Sequence, residues 1–152
     1  MEKMKLNNEN IAQVSSLAEK TLGEWNVDAR NIIQIRLAVE ETLLKYQEAF
    51  GTEAVFTQKY IRRLKSVRLE LSVTGERFDP FDTGEEEQSQ ILRGLLANMG
   101  VAPAWQYKNG ENIILFTPKK KKRSQMASLA LSVILAFLCG GVCSFLPESV
   151  RT

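Results

Sequence analysis

No histidine occurs among the 152 residues. That absence removes Ser-His and Cys-His nucleophile pairs, histidine metal clusters and any phosphoaccepting histidine, leaving carboxylates, Lys and Tyr as the acids and bases. Cysteine is scarce: Cys139 and Cys143 are the only two, four apart near the C-terminus. Such spacing puts them on one helical face, where packing is a better reading than a disulfide or a metal site. Charge is missing altogether from residues 124–147. Directly before that stretch stands the run Lys-Lys-Lys-Lys-Arg at 119–123. The chain has 20 basic and 18 acidic residues, net +2. Setting aside residues 119–123, Glu148 and Arg151 leaves residues 1–118 at a net charge of −3. The surplus of positive charge therefore belongs to the tail, and nothing in the charge balance argues for a nucleic-acid partner.

Residues 126–146 read MASLALSVILAFLCGGVCSFL. As a helix these would reach roughly 30 Å, the thickness of a bilayer's hydrocarbon core. A soluble helix of that length keeps a polar face, and this run has none. A signal peptide would stand at the start of the chain, whereas domain-like patterning precedes this segment. The expected division is a domain at 1–118, a basic juxtamembrane linker at 119–125, a transmembrane helix at 126–146 and an exit segment at 147–152. Cations before the span place the N-terminal domain in the cytoplasm at the cell membrane by the positive-inside rule, with membrane lipid as the basic run's partner. Small residues through the span, among them Ala130, Ser132, Gly140, Gly141 and Ser144, fit packing against further transmembrane segments of the same, longer chain.

Helix and strand patterns alternate in residues 1–118. After a short apolar start at Met4, Asn8 is the expected cap of a helix carrying Ile11, Val14, Leu17, Ala18 and Leu22, which stops near Gly23. Asp28 caps a second helix with a broad apolar face, stopped by Gly51. Residues 54–60 and 67–74 have strand chemistry, joined by a turn at 62–65. A polar stretch at 82–89 leads to a third helix around 90–99. Asn109-Gly110 then turns a closing hairpin between 104–108 and 113–116. This order predicts an α+β chain, a two-layer sandwich of helices on a sheet, followed by the membrane helix. Ile11, Val14 and Ile33 exceed what two amphipathic faces need, so a weak homodimer is expected.

The sequences LAVEETLLKYQEAFG, VTGERFDPFD and RGLLANMG, in that order between helices, strands and a final hairpin, resemble the nucleotide-binding domain shared by gyrase, heat-shock chaperone, histidine kinase and mismatch-repair ATPases, the Bergerat-type fold. The nearest variety is that of the anti-sigma-factor serine kinases. The resemblance spans residues 5–118 and implies a nucleotide site at Glu41, Lys45, Gly75, Asp79 and Gly94. Glu41 falls on the family's base, which positions water. Lys45 falls on the amide that holds magnesium.

The departures from the pattern are chemical. A protonated Lys has no lone pair for a metal and repels it. Glu41 and Lys45 can instead form an i,i+4 ion pair. The family's adenine-accepting Asp is replaced by Val73, for which Thr74 would be a weak substitute. Leu92 takes the place of the first phosphate-loop glycine, with Gly94 kept, and the Glu85, Glu86, Glu87 run would repel phosphate. The expectation is a degenerate domain with no metal, no bound cofactor, weak ATP affinity at most, and Glu41 inactive as a base. The tail resembles the first membrane helix of the dicarboxylate and amino-acid:cation symporters. Together these imply a cytoplasmic regulatory or sensory pseudo-ATPase domain at the front of such a transporter. The alternatives are an active ATP-binding serine kinase of the anti-sigma type and a tail-anchored interaction protein.

Overall fold

A computed structural model describes residues 2–82, 87–99 and 103–119. The expected membrane span, the basic run beyond Lys119, Glu85 and Glu86 lie outside the described residues. Among those described, no helix is long and apolar enough to cross a membrane.

The elements run β1 (Met4–Lys5), α1 (Asn8–Glu24), α2 (Ala29–Phe50), β2 (Val55–Arg62), β3 (Val67–Thr74), α3 (Glu87–Met99), β4 (Ala104–Lys108) and β5 (Glu111–Phe116). The five strands form one antiparallel sheet in the order β1-β2-β3-β5-β4. In register, Phe56 opposes Val73 and Val73 opposes Asn112, while Leu71 opposes Ile114 and Leu69 opposes Phe116. Strand alternation puts all of these on one face. That face is buried against Ile11, Val14, Ala18 and Leu22 of α1, Ile35, Val39, Leu43 and Tyr46 of α2, and Leu92 of α3. The α+β sandwich expected from the sequence is thus present.

Local chemistry explains the boundaries. Asp28 caps α2 with its carboxylate accepting from the amides of Arg30 and Asn31 at 3.1 and 3.4 Å. The α1 cap is Asn7, one residue before the expected Asn8: its Oδ1 accepts from the Asn10 amide at 2.8 Å. Asn8 is instead the first helical residue, and its side chain accepts from Gln47. The hairpin turn has Asn109 and Gly110 at φ 53° and 77°, the left-handed pair that a two-residue type I′ turn needs. The apolar surplus of α1 is internal, since Ile11 and Val14 are buried in the core. Only Ile33, 56% exposed, remains of the three residues expected to serve a dimer.

Candidate functional site

β3 ends at Thr74, and the chain then crosses toward the second half of α2. Residues 75–81 hold the Gly-Glu-Arg-Phe-Asp-Pro-Phe turn, and α2 brings Lys45, Tyr46 and Phe50 to it. The helix spacing explains how. Ala38, Thr42, Lys45 and Tyr46 recur at three and four, and all are buried. Lys45, 6% exposed, sends its stem inward with them, and its Nζ donates to the Pro80 carbonyl at 3.2 Å. The Tyr46 hydroxyl donates to the Phe78 carbonyl at 3.0 Å.

The turn is also held from the sheet. Asn112, fully buried on β5, donates from Nδ2 to the Glu76 carbonyl at 2.7 Å and accepts at Oδ1 from the Phe78 amide at 2.9 Å. Gly75 donates to the Gly110 carbonyl at 3.1 Å and accepts from the Tyr107 hydroxyl at 3.2 Å. The Asp79 carboxylate accepts from the Phe81 amide at 2.9 Å, closing a local turn. Phe78 packs edge-on against Tyr46 and Phe50, with ring centroids 5.5 and 6.0 Å away. Gly75 is glycine because of that cluster, since a Cβ there would lie 2.7 Å from Phe50 Cε2. Burial raises the Tyr46 phenol above its ordinary pKa, the Trp105 indole N–H pulls it back, and the Asp79 charge adds to the rise. The indole nitrogen itself is buried and, among the described residues, lacks a partner in full hydrogen-bond geometry.

Comparison with known proteins fits this topology. Among solved structures, one nucleotide-free form of the catalytic domain of histidine kinase ThkA matches with a TM-score of 0.50 and 18% identity. The match covers 79% of this chain and 98% of that one. A second nucleotide-free form matches at a TM-score of 0.49 and 14% identity, over 79% of this chain and 97% of that one. The fold is that of a histidine-kinase catalytic domain. No protein-family model and no curated protein matches the sequence.

Of the five sequence-predicted positions, Gly75 and Asp79 share the turn, and Lys45 reaches it from α2 through Pro80. Glu41 lies one helical turn before Lys45 on α2. Glu41 is half-buried. The Glu41–Lys45 ion pair expected from spacing is not among the ion pairs of the described residues, because Lys45 reaches inward to Pro80 instead. Gly94 is elsewhere in character: it lies in the interior of α3, seven residues past Glu87, exposed and with open space around it. Its amide therefore belongs to a helical ladder and is not free at a helix start. Leu92 is a core residue.

Val73, at the adenine-reading position, is fully buried between Phe56 and Asn112 and offers no acceptor. Thr74 cannot replace it, since strand alternation sends its side chain to the opposite face, where it is exposed. Among the described residues no group of three or more carboxylates or thiols is gathered to hold a metal ion. The sequence reading missed Asn112 and Tyr107. An Asn at an inward position of the strand ENIILF is the signal that could have found the first, because a polar group buried in a sheet core needs partners.

Proposed function

We propose that this domain is a regulatory or sensory pseudo-ATPase: a histidine-kinase-type fold that works by binding and not by phosphoryl transfer. The supporting observation is the Lys45–Pro80 hydrogen bond. It puts a buried cationic side chain where the resemblance would require a metal-holding amide, and it ties that side chain to the turn that would border the nucleotide. The composition of residues 119–146 supports a cytoplasmic domain on a membrane protein, at the N-terminal end of a dicarboxylate or amino-acid:cation symporter, with lipid and further transmembrane segments as its surroundings. An active serine-kinase reading is favoured by Glu41 alone, half-buried at the base position. It requires Lys45 to leave Pro80 and bind phosphate directly.

Fractionation of cells expressing the full chain, paired with an assay for magnesium-dependent ATP turnover, tests the proposal. Sedimentation with membranes, residues 1–118 digestible only from the cytoplasmic side, and no turnover are expected. A soluble monomer without detergent would remove the membrane assignment, and turnover lost on Glu41→Gln would establish the kinase reading instead.

A further inference from the structure

One edge of the sheet is only partly covered. β1 pairs with Val55 and Phe56, whereas β2 continues to Arg62. The Ala54 carbonyl accepts from the Leu6 amide at 2.8 Å, so residue 54 turns its backbone toward the β1 side. In an antiparallel strand both backbone groups of a residue point the same way and the direction alternates along the chain. Tyr60 and Arg62 therefore turn N–H and C=O toward an edge that no strand occupies among the described residues. The chain running back from β1 brings Glu2 level with Gln58, so the vacant stretch is 59–62.

Beside that stretch a pocket of about 240 Å³ opens between α1 and the two strands. Met4, Val14, Leu17 and Tyr60 give it apolar walls, and Glu2 and Gln58 line it as well. Gln58 and Tyr60 share the face of the buried Phe56, so the pocket lies on the helix-covered side of the sheet. Leu17, on the flank of α1, is 41% exposed and leaves the pocket open to solvent. One wall is fixed: the Tyr60 hydroxyl donates to the Gln58 side chain at 2.9 Å, and its ring meets Trp25 edge-on at 6.2 Å.

Three observations choose the occupant. The pocket is smaller than the roughly 300–1,000 Å³ of small-molecule sites and suits a single side chain. The backbone groups along the edge call for a polypeptide in extended form. Charge decides its character, since no carboxylate occurs from residue 54 to residue 69. Lys59 and Arg62 are exposed and make no ion pair among the described residues. A second copy would bring Lys59 and Arg62 against their own kind, the repulsion that guards a bare edge. An acidic segment neutralises them instead.

We propose that the 59–62 edge of β2 takes an extended acidic segment of a partner protein as a sixth strand, with one apolar side chain entering the pocket between Leu17 and Tyr60. The segment's main chain bonds Tyr60 and Arg62, and its carboxylates meet Lys59 and Arg62. The inference goes beyond the pseudo-ATPase reading and uses none of the residues on which that reading stands.

Titration of the full chain, in detergent micelles, with the capped peptide Glu-Glu-Val-Phe-Glu tests this. Running antiparallel to β2, the peptide sets its second Glu opposite Arg62, its Phe opposite Tyr60 and its last Glu opposite Lys59. The expected result is saturable binding tighter than about millimolar, with slowed hydrogen exchange at the Tyr60 and Arg62 amides. Leu17→Ser and K59E/R62E, both at exposed positions, should each weaken it about tenfold or more. Methylating the peptide's Phe nitrogen should do the same, because that amide faces Tyr60. K59E/R62E should in turn prefer the peptide Lys-Lys-Val-Phe-Lys. No binding, or binding indifferent to the methyl group or to K59E/R62E, would overturn the proposal. Protection of the same amides that rises with protein concentration, without peptide, would give the edge to a second copy and also overturn it. No nucleotide is present in these titrations, so their failure leaves the pseudo-ATPase reading untouched.

Discussion

The Lys45 ammonium nitrogen lies 3.2 Å from the Pro80 carbonyl oxygen, joining α2 to a turn 35 residues further along the chain. The contact is one of several: Tyr46 bonds Phe78, Asn112 bonds Glu76 and Phe78, and Tyr107 bonds Gly75. The turn's carbonyls at 75, 76, 78 and 80 are thus all engaged by side chains of this same domain. A turn held in this way has little freedom to open around a ligand, which is the physical basis for the proposal that the domain works by binding.

Replacing Lys45 by Ala removes a buried stem and its hydrogen bond to the Pro80 carbonyl. The expected loss is about 1–3 kcal/mol, from a hydrogen bond with a charged donor and the methylenes that go with it. Lys45→Met keeps the stem and should lose less. Urea unfolding midpoints rank the two. Equal stability of Lys45→Ala and the unmodified chain would show that the bond contributes nothing.

Asn112→Ala strips partners from two backbone groups at once and should be the costlier change, at roughly 2–4 kcal/mol. Asn112→Asp keeps the acceptor for the Phe78 amide but loses the donor to Glu76 and buries a charge, so it should be no better. The same unfolding series measures both.

Gly75→Ala tests the aromatic cluster. Its Cβ would meet three Phe50 ring atoms at 2.7–3.0 Å, and the ring is held by Tyr46 and Phe78. Overpacking of this kind costs about 1–3 kcal/mol. Phe50→Leu in the same chain should return part of the loss. If the double change is as destabilised as the sum of the two singles, the clash with Phe50 is not the cause.

Much of the fold was legible in the sequence, and the site only in part. The strand 67–74 was exact, because Val67, Leu69, Leu71 and Val73 alternate with polar residues against one buried face. Asp28 and Gly51 fixed α2 through capping chemistry. The position of Lys45 was not legible as an ion pair, since spacing alone puts Glu41 within reach. What decided it was the wider helical face, with Ala38 and Thr42 at seven and three residues before Lys45, both buried. Gly94 matched a motif by residue type, but the helix extends through it, a boundary that composition around 87–94 does not fix.

Alkaline unfolding follows from two phenols. Burial raises both Tyr46 and Tyr60 above the ordinary value near 10. Above that value the unfolded chain releases protons that the folded chain keeps, so the unfolded state binds fewer protons and stability falls with rising pH. The contribution is fully present below about pH 10 and drains away as pH climbs toward the raised folded values. Urea midpoints at successive pH values should decline beyond about 10, and less steeply in Tyr60→Phe. An unchanged decline in that variant would remove Tyr60 from the account.

Val73→Asp restores an adenine acceptor on paper, as Lys45→Asn restores a metal-holding amide. The structure predicts that the first change fails by unfolding, because Val73 is fully enclosed between Phe56 and Asn112. A carboxylate there should cost upward of about 4 kcal/mol. The most direct measurement of the central claim is therefore titration calorimetry of the unmodified chain with magnesium-ATP. The account predicts no binding tighter than about millimolar, or about 4 kcal/mol. Micromolar, magnesium-dependent binding that is lost on Glu41→Gln would contradict it and make the domain a working nucleotide enzyme.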